Sequence, residues 1–207
     1  MTAKPCALCL LIMLLAGCRS SPPKRFYVLD AVASQQPLTT TTESGIQVAS
    51  VSIPPSLDRQ EMVRKSASGA LQISDVNRWG APLADMTQNV LTRDLMDRLS
   101  AGKVIGSQIS AADGTCEITV DILQFGGDAQ GDITLVGGWS SSRLGTNAPP
   151  RVRNVRFNER AAAADYAAEA QVMNRLLGKL ADDMAQTLGH EGCSDTEHER
   201  SDSNRAR

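Results

Sequence analysis

A long apolar repeat of helical period constrains the fold of this chain more than any other feature. It covers residues 165–188, and its apolar face consists of Tyr166, Ala170, Met173, Leu176, Leu177, Leu180 and Met184. Gly189 is expected to end this helix. A second helix is predicted over residues 83–99, with Pro82 at its start and Gly102 beyond its end. Because each helix is apolar along one side only, both must pack against another layer.

Most of the remaining chain shows patterns typical of β-strands. Residues 117–125 alternate apolar and polar side chains, as a half-buried strand does. Further strands are predicted at 26–29, 46–53, 62–65, 70–74, 132–139 and 151–158. A change of phase between Val48 and Val51 indicates a bulge near Ala49 and Ser50. We therefore expect one α+β domain over residues 26–189, with about seven strands in a single mainly antiparallel sheet and two amphipathic helices packed on one face.

The first 17 residues resemble a bacterial lipoprotein signal peptide. Lys4 precedes an uncharged stretch too short to span a bilayer, and Leu15-Ala16-Gly17-Cys18 forms a lipobox. The resemblance implies cleavage before Cys18 and a covalent lipid on its sulfur, with no other cofactor. Residues 18–25 then form a polar, proline-containing tether. Arg19 stands where an Asp would commonly retain a lipoprotein in the inner membrane, which favours the outer membrane of a Gram-negative cell.

Charge and cysteine content narrow the class of protein further. Lys4 is the only charged residue of the signal, so 20 of the 21 basic residues remain against 23 acidic ones. This mildly acidic balance argues against a nucleic-acid partner. Two of the five cysteines leave with the signal and Cys18 carries the lipid, so Cys116 and Cys193 remain in an oxidising compartment. They form either a disulfide or two free thiols.

No constellation of catalytic or metal-binding residues stands out. Neither segment 106–108 nor segment 138–141 contains the Gly-x-Ser-x-Gly turn of a serine hydrolase. The two histidines, His190 and His198, fall in residues 190–207, which we predict to be a disordered tail. His190, Cys193 and His198 could supply metal ligands, but a tail makes a poor ligand cage. We therefore expect no catalytic residue, no metal site and no enzymatic activity.

Three short segments carry a resemblance to a known family. They are Phe26-Tyr27-Val28-Leu29 soon after the lipobox, Ile53-Pro54-Pro55-Ser56-Leu57-Asp58-Arg59, and Arg78-Trp79-x-x-Pro82-Leu83 at the start of the first helix. In this order and spacing, the chain resembles the PqiC/YmbA-type family of ABC-type transport auxiliary lipoproteins from about residue 26 to residue 188. Arg78, Trp79 and Pro82 either dock a partner or shape the turn between strand and helix, and for Trp79 we favour packing over a partner anchor.

The resemblance implies a non-catalytic auxiliary component of an ABC/MCE-type envelope transport system, with lipid as the expected cargo. Its partners would be an MCE-domain protein and the membrane component of the transporter. The domain would face the periplasm from the outer membrane, and a homo-oligomer would suit a tubular partner. The same tether and domain could serve a stand-alone structural or assembly lipoprotein of the outer membrane. A periplasmic ligand carrier or enzyme is a further alternative, and it predicts a deep pocket lined by converging polar groups.

Overall fold

The computed structural model describes residues 22–34 and 45–194. The predicted signal peptide, Cys18 and the first part of the predicted tether lie outside the described residues, as does most of the predicted tail. The strands of the described part are β1 (Arg25–Tyr27), β2 (Ile46–Ser52), β3 (Glu61–Lys65), β4 (Leu71–Trp79), β5 (Val104–Ile105), β6 (Cys116–Gly127), β7 (Asp132–Arg143) and β8 (Arg151–Arg160). Its helices are α1 (Leu83–Arg98) and α2 (Tyr166–Glu191).

The strands form two sheets, so the expectation of a single mainly antiparallel sheet is wrong. One sheet has three strands in the order β1-β4-β3, and the other has five in the order β5-β2-β6-β7-β8. Three pairings are parallel: β1 with β4, and β2 with both β5 and β6. The hairpins β3-β4 and β6-β7-β8 are antiparallel. The α+β class is confirmed, but its sheets are mixed.

The error has a physical origin in the long connections. Alternation of apolar side chains shows which face of a strand is buried, but it does not identify the neighbouring strand. Between β2 and β6 the chain forms β3, β4, α1 and β5, and then returns to pair in parallel with β2. The bulge predicted in β2 is confirmed, because the β2–β6 register shifts between Val48 and Ser50.

The helices and the five-stranded sheet enclose the core. The predicted apolar face of α2 is buried from Ala170 to Met184, and its α1 counterpart includes the fully buried Val90, Leu91 and Leu95. These side chains pack against apolar residues of β2, β6 and β7 in one cluster. Asp165 caps α2 by accepting a hydrogen bond from the Ala168 N–H at 2.7 Å.

The end of α2 differs from the expectation. Gly189 lies within the helix, which continues to Glu191, and Gly192 with φ of 77° follows as the cap. The chain stays packed beyond it, because Ser194 bridges to Pro150 ahead of β8. A tail beginning at residue 190 is therefore wrong for residues 190–194, and residues 195–207 lie outside the described residues. Among the helices of the described part, none is long and apolar enough to span a membrane.

Candidate docking surface

The two sheets leave a groove between β3 and β6, because β2 is shorter than β6. The last residue of β2, Ser52, pairs with Asp121, whereas β6 continues to Gly127. Beyond Asp121, no strand of the described chain covers this side of β6 until a single bridge joins Lys65 to Asp128. The opening has a volume of about 210 Å³. We call this opening, bounded by β3, the first residues of β4 and residues 123–127 of β6, the β3–β6 groove.

The lining of the groove is largely apolar. Val63 and Phe125 are buried at its base, and Leu57 contributes from the loop before β3. Leu71 and Leu123 lie at the rim, with 44% and 64% of their surfaces exposed. Leu71 belongs to β4, the middle strand of its sheet, and Leu123 to β6, and a groove with exposed leucines at its rim is a feature of surfaces that bind another chain.

Leu123 faces solvent because it occupies an outward position in the alternation of β6, and the register shift that follows it turns Phe125 inward. Ile118, Val120 and Ile122 point into the core in regular alternation, and the register then shifts between Ile122 and Gln124. Leu123 takes an outward position, and the inward alternation resumes at Phe125. The sequence carries a signal for this exposed leucine, since an apolar residue stands at a position where the alternation places polar ones.

A buried ion pair joins the groove to α2. The Nε of Arg64 donates to Glu169 at 2.8 Å, and the same carboxylate accepts from the Gly127 N–H at 3.0 Å. The Arg64 guanidinium also lies 4.0 Å from the centre of the Tyr166 ring. Burial raises the pKa of the Glu169 carboxyl, while the hydrogen bond and charge of Arg64 act in the opposite direction. This cluster ties both walls of the groove to one helix.

Trp79 is a packing residue in the structure. Its side chain is only 4% exposed and belongs to the core, while its backbone N–H donates to the Gln60 carbonyl at 2.7 Å. Arg78 points to the opposite side of β4 and pairs with Glu61 at 3.1 Å. Pro82 is exposed just before α1. The three residues are adjacent in sequence, but they do not form a common surface, because a buried indole cannot serve as an accessible anchor.

Cys116 and Cys193 are joined by a disulfide with an S–S distance of 2.09 Å. The bond connects the start of β6 to the segment after α2, and both residues are buried. The Ser141 hydroxyl donates to the Cys193 carbonyl at 2.6 Å, which adds a hydrogen bond from β7. Cys193 is therefore part of the folded domain and cannot be a thiol ligand. Within the described residues, no group of three or more His, Cys, Asp or Glu side chains could hold a metal ion.

A second buried charge cluster holds the segment after β1 against the helices. Asp94 in α1 accepts from the Val32 N–H at 2.7 Å, and Arg98 donates to the Val32 carbonyl at 3.0 Å. Arg98 also donates to Asp182 in α2 at 2.6 Å. Burial raises the pKa of the Asp94 carboxyl to about 6, against the opposing effects of the Val32 hydrogen bond and the Arg98 charge. These contacts connect the segment after β1 to both helices.

The architecture defines the class of this protein as a two-sheet α+β domain with a partly apolar groove at the junction of its sheets. A family model described as "ABC-type transport auxiliary lipoprotein component" matches residues 27–185. The chain belongs to this family, as its sequence resemblance indicated. The family is an auxiliary, membrane-associated component of ABC-type transport.

Two solved structures share the fold. One, described as an uncharacterized protein, has 18% sequence identity and a TM-score of 0.65, and the match covers 81% of this chain and 99% of that chain. The other is a Xanthomonas campestris protein assigned to the DUF330 family, with 14% identity and a TM-score of 0.61. That match covers 79% of this chain and 94% of the Xanthomonas protein. A search of curated proteins found no match.

Proposed function

We propose that the mature chain is a non-catalytic subunit of an ABC/MCE-type lipid transport system, held at the periplasmic face of the outer membrane by a lipid on Cys18. The family match over residues 27–185 carries this proposal, and the lipobox before Cys18 supports the anchor. In this arrangement the lipid fixes one end of the assembly, and the folded domain binds an MCE-domain protein and the membrane component.

The β3–β6 groove is the docking surface of this proposal. Its two bordering strands offer backbone groups to an extended segment, and Leu71 and Leu123 offer apolar contacts. Strand addition of this kind gives affinity through the main chain and specificity through pockets for alternate side chains. The Arg64–Glu169 pair keeps the groove walls in place without a partner. The occupant that fits is an extended, partly apolar segment of the transport protein.

The anchor is tested by Cys18→Ala. We expect the variant to lose palmitate labelling and to leave the membrane fraction from which the wild-type chain is recovered. Continued labelling of the variant would refute lipidation at Cys18.

The docking surface is tested by Leu123→Ser, with Val152→Ser as the matched control. Leu123 is 64% exposed and Val152 is 65% exposed, and both lie on strands of the five-stranded sheet. Affinity purification from crosslinked envelope membranes should recover a transporter component with the wild type and the control, and much less with Leu123→Ser. Equal recovery with both variants would exclude the groove. Recovery of no transporter component from the wild type would favour a stand-alone structural lipoprotein.

A further inference from the structure

The first strand and the residue after it present two large apolar side chains to solvent. Phe26 is 64% exposed and Val28 is 55% exposed. Because they are two residues apart in an extended chain, their side chains lie on the same side of it. Tyr27 between them points inward, where its side chain contacts the core and its hydroxyl donates to the Asn77 side chain at 3.1 Å. The outward pair is thus fixed in orientation by a partly buried neighbour.

A row of charges crosses the three-stranded sheet beside Phe26. Phe26 is in register with Arg78, and Arg78 is in register with Glu61 on the next strand. The Glu61 carboxylate is shared by two guanidiniums, those of Arg59 at 3.0 Å and Arg78 at 3.1 Å. The hydrogen bond from Arg59 lowers the pKa of Glu61, which keeps this carboxyl ionised. One acid against two guanidiniums leaves the row positively charged.

Two more basic residues precede Phe26, and both Lys24 and Arg25 are exposed. We call Lys24, Phe26, Val28 and Arg78 the basic apolar patch, and Arg25, on the other side of β1, adds a nearby positive charge. An apolar centre with basic side chains around it is the combination that binds anionic membrane surfaces, because aromatic rings enter the headgroup region while Lys and Arg meet lipid phosphates.

The position of the patch along the chain points to the same partner. Phe26 follows Cys18 by eight residues, and a fully extended chain spans at most about 3.6 Å per residue, or about 29 Å in all. A lipid on Cys18 therefore holds Phe26 close to the bilayer whatever the tether conformation. Isolated exposed apolar residues are common on protein surfaces. This pair differs because the covalent chain keeps it beside a lipid phase.

We propose that the basic apolar patch lies on the bilayer that holds Cys18, with Phe26 in the headgroup region and the basic side chains on anionic phospholipid. This inference rests on the proposed lipid anchor. It adds an orientation to the anchor, since the three-stranded sheet then faces the membrane through β1. The domain would be held by one covalent and one non-covalent contact, and an added polybasic contact strengthens attachment through a lipid.

The test uses the full-length lipidated chain in vesicles of phosphatidylcholine and phosphatidylglycerol that contain doxyl-labelled lipid. Phe26→Trp is the reporter, and Val152→Trp on the edge strand β8 is the control of equal exposure. The native Trp79 and Trp139 are both buried and contribute the same background to each sample. We expect the Phe26→Trp emission to shift to shorter wavelength and to be quenched by the doxyl group, with no such change for Val152→Trp.

Flotation of the vesicles separates failure of the inference from failure of the anchor. A chain that does not float lacks its lipid, which overturns both the proposed anchor and this inference. A chain that floats but shows equal quenching at the two positions keeps its anchor and overturns the membrane-facing patch. A wavelength shift at Phe26→Trp without doxyl quenching means that the patch is covered by protein, and this result also overturns the inference. Loss of the reporter's quenching in Lys24→Ser/Arg25→Ser would support the role of charge.

Discussion

Replacing Cys116 and Cys193 together with alanine removes the covalent link between the start of β6 and the segment after α2. The two cysteines are 77 residues apart. Closing a loop of that length lowers the entropy of the unfolded chain enough to stabilise the fold by about 4 kcal/mol. For a domain of this size, such a loss lowers the unfolding temperature by about 8–16 °C.

Thermal and urea unfolding of the purified chain measure this loss directly. Adding a reductant to the wild-type protein should reproduce most of the decrease, and the double alanine variant should not respond to the reductant. The reasoning fails if the variant unfolds within about 1 kcal/mol of the oxidised wild type, since that is well below the loop-closure value. Mass mapping that finds two free thiols in the native protein would also refute it.

Three further predictions concern the interior. Arg64→Met leaves Glu169 buried without its cation and should lower the free energy of unfolding by about 3–5 kcal/mol. Because the pKa of Glu169 is raised, this loss should be larger at pH 8 than at pH 5. A loss that does not depend on pH would contradict the pairing. The pKa of Asp94 is raised from 3.8 to about 6, so its protonated form adds stability that is present at low pH and is lost as the pH rises, by up to about 3 kcal/mol. The urea midpoint of Asp94→Asn, measured against pH, should lack this decline. A pH profile identical to that of the wild type would refute the assignment. Gly137→Ala would place a Cβ against the Asp121 carbonyl oxygen and should cost about 1–3 kcal/mol in urea unfolding. Gly189→Ala is the control, because this helical position has room for a Cβ and the change should be neutral or stabilising. Equal effects of the two changes would contradict this difference in the room for a side chain.

Local patterns predicted the elements of this fold well. The apolar stripe from Ala170 to Met184 defined α2, and the phase change after Val48 located the bulge in β2. These features depend on neighbours within a few residues, which the sequence displays directly. The pairing of β2 with β6 depends on the path of the long segment that connects them. The alternation of side chains within a strand does not show which strand lies beside it. The second sheet could not be predicted for this reason.

The candidate surface illustrates the same limit. The groove exists because Ser52 ends β2 while β6 continues, and a difference in length between paired strands is visible only after the pairing is known. Arg64 and Glu169, which support the groove, are 105 residues apart in sequence. Trp79, at the end of β4, is 4% exposed and lies in the core. The apolar Leu123 at an outward position of β6 is a local sign of the groove.

Site-specific photo-crosslinking in intact envelope membranes tests the central claim most directly. A photo-reactive amino acid would replace Leu123 in the groove of the lipidated full-length chain, and the same replacement at Val152 serves as the control of equal exposure. The account predicts a crosslink from position 123 to a component of an ABC-type transporter, identified by mass spectrometry, and none from position 152. Crosslinks from both positions to the same protein, or from position 123 to no transporter component, would contradict the role of this domain as a docking subunit.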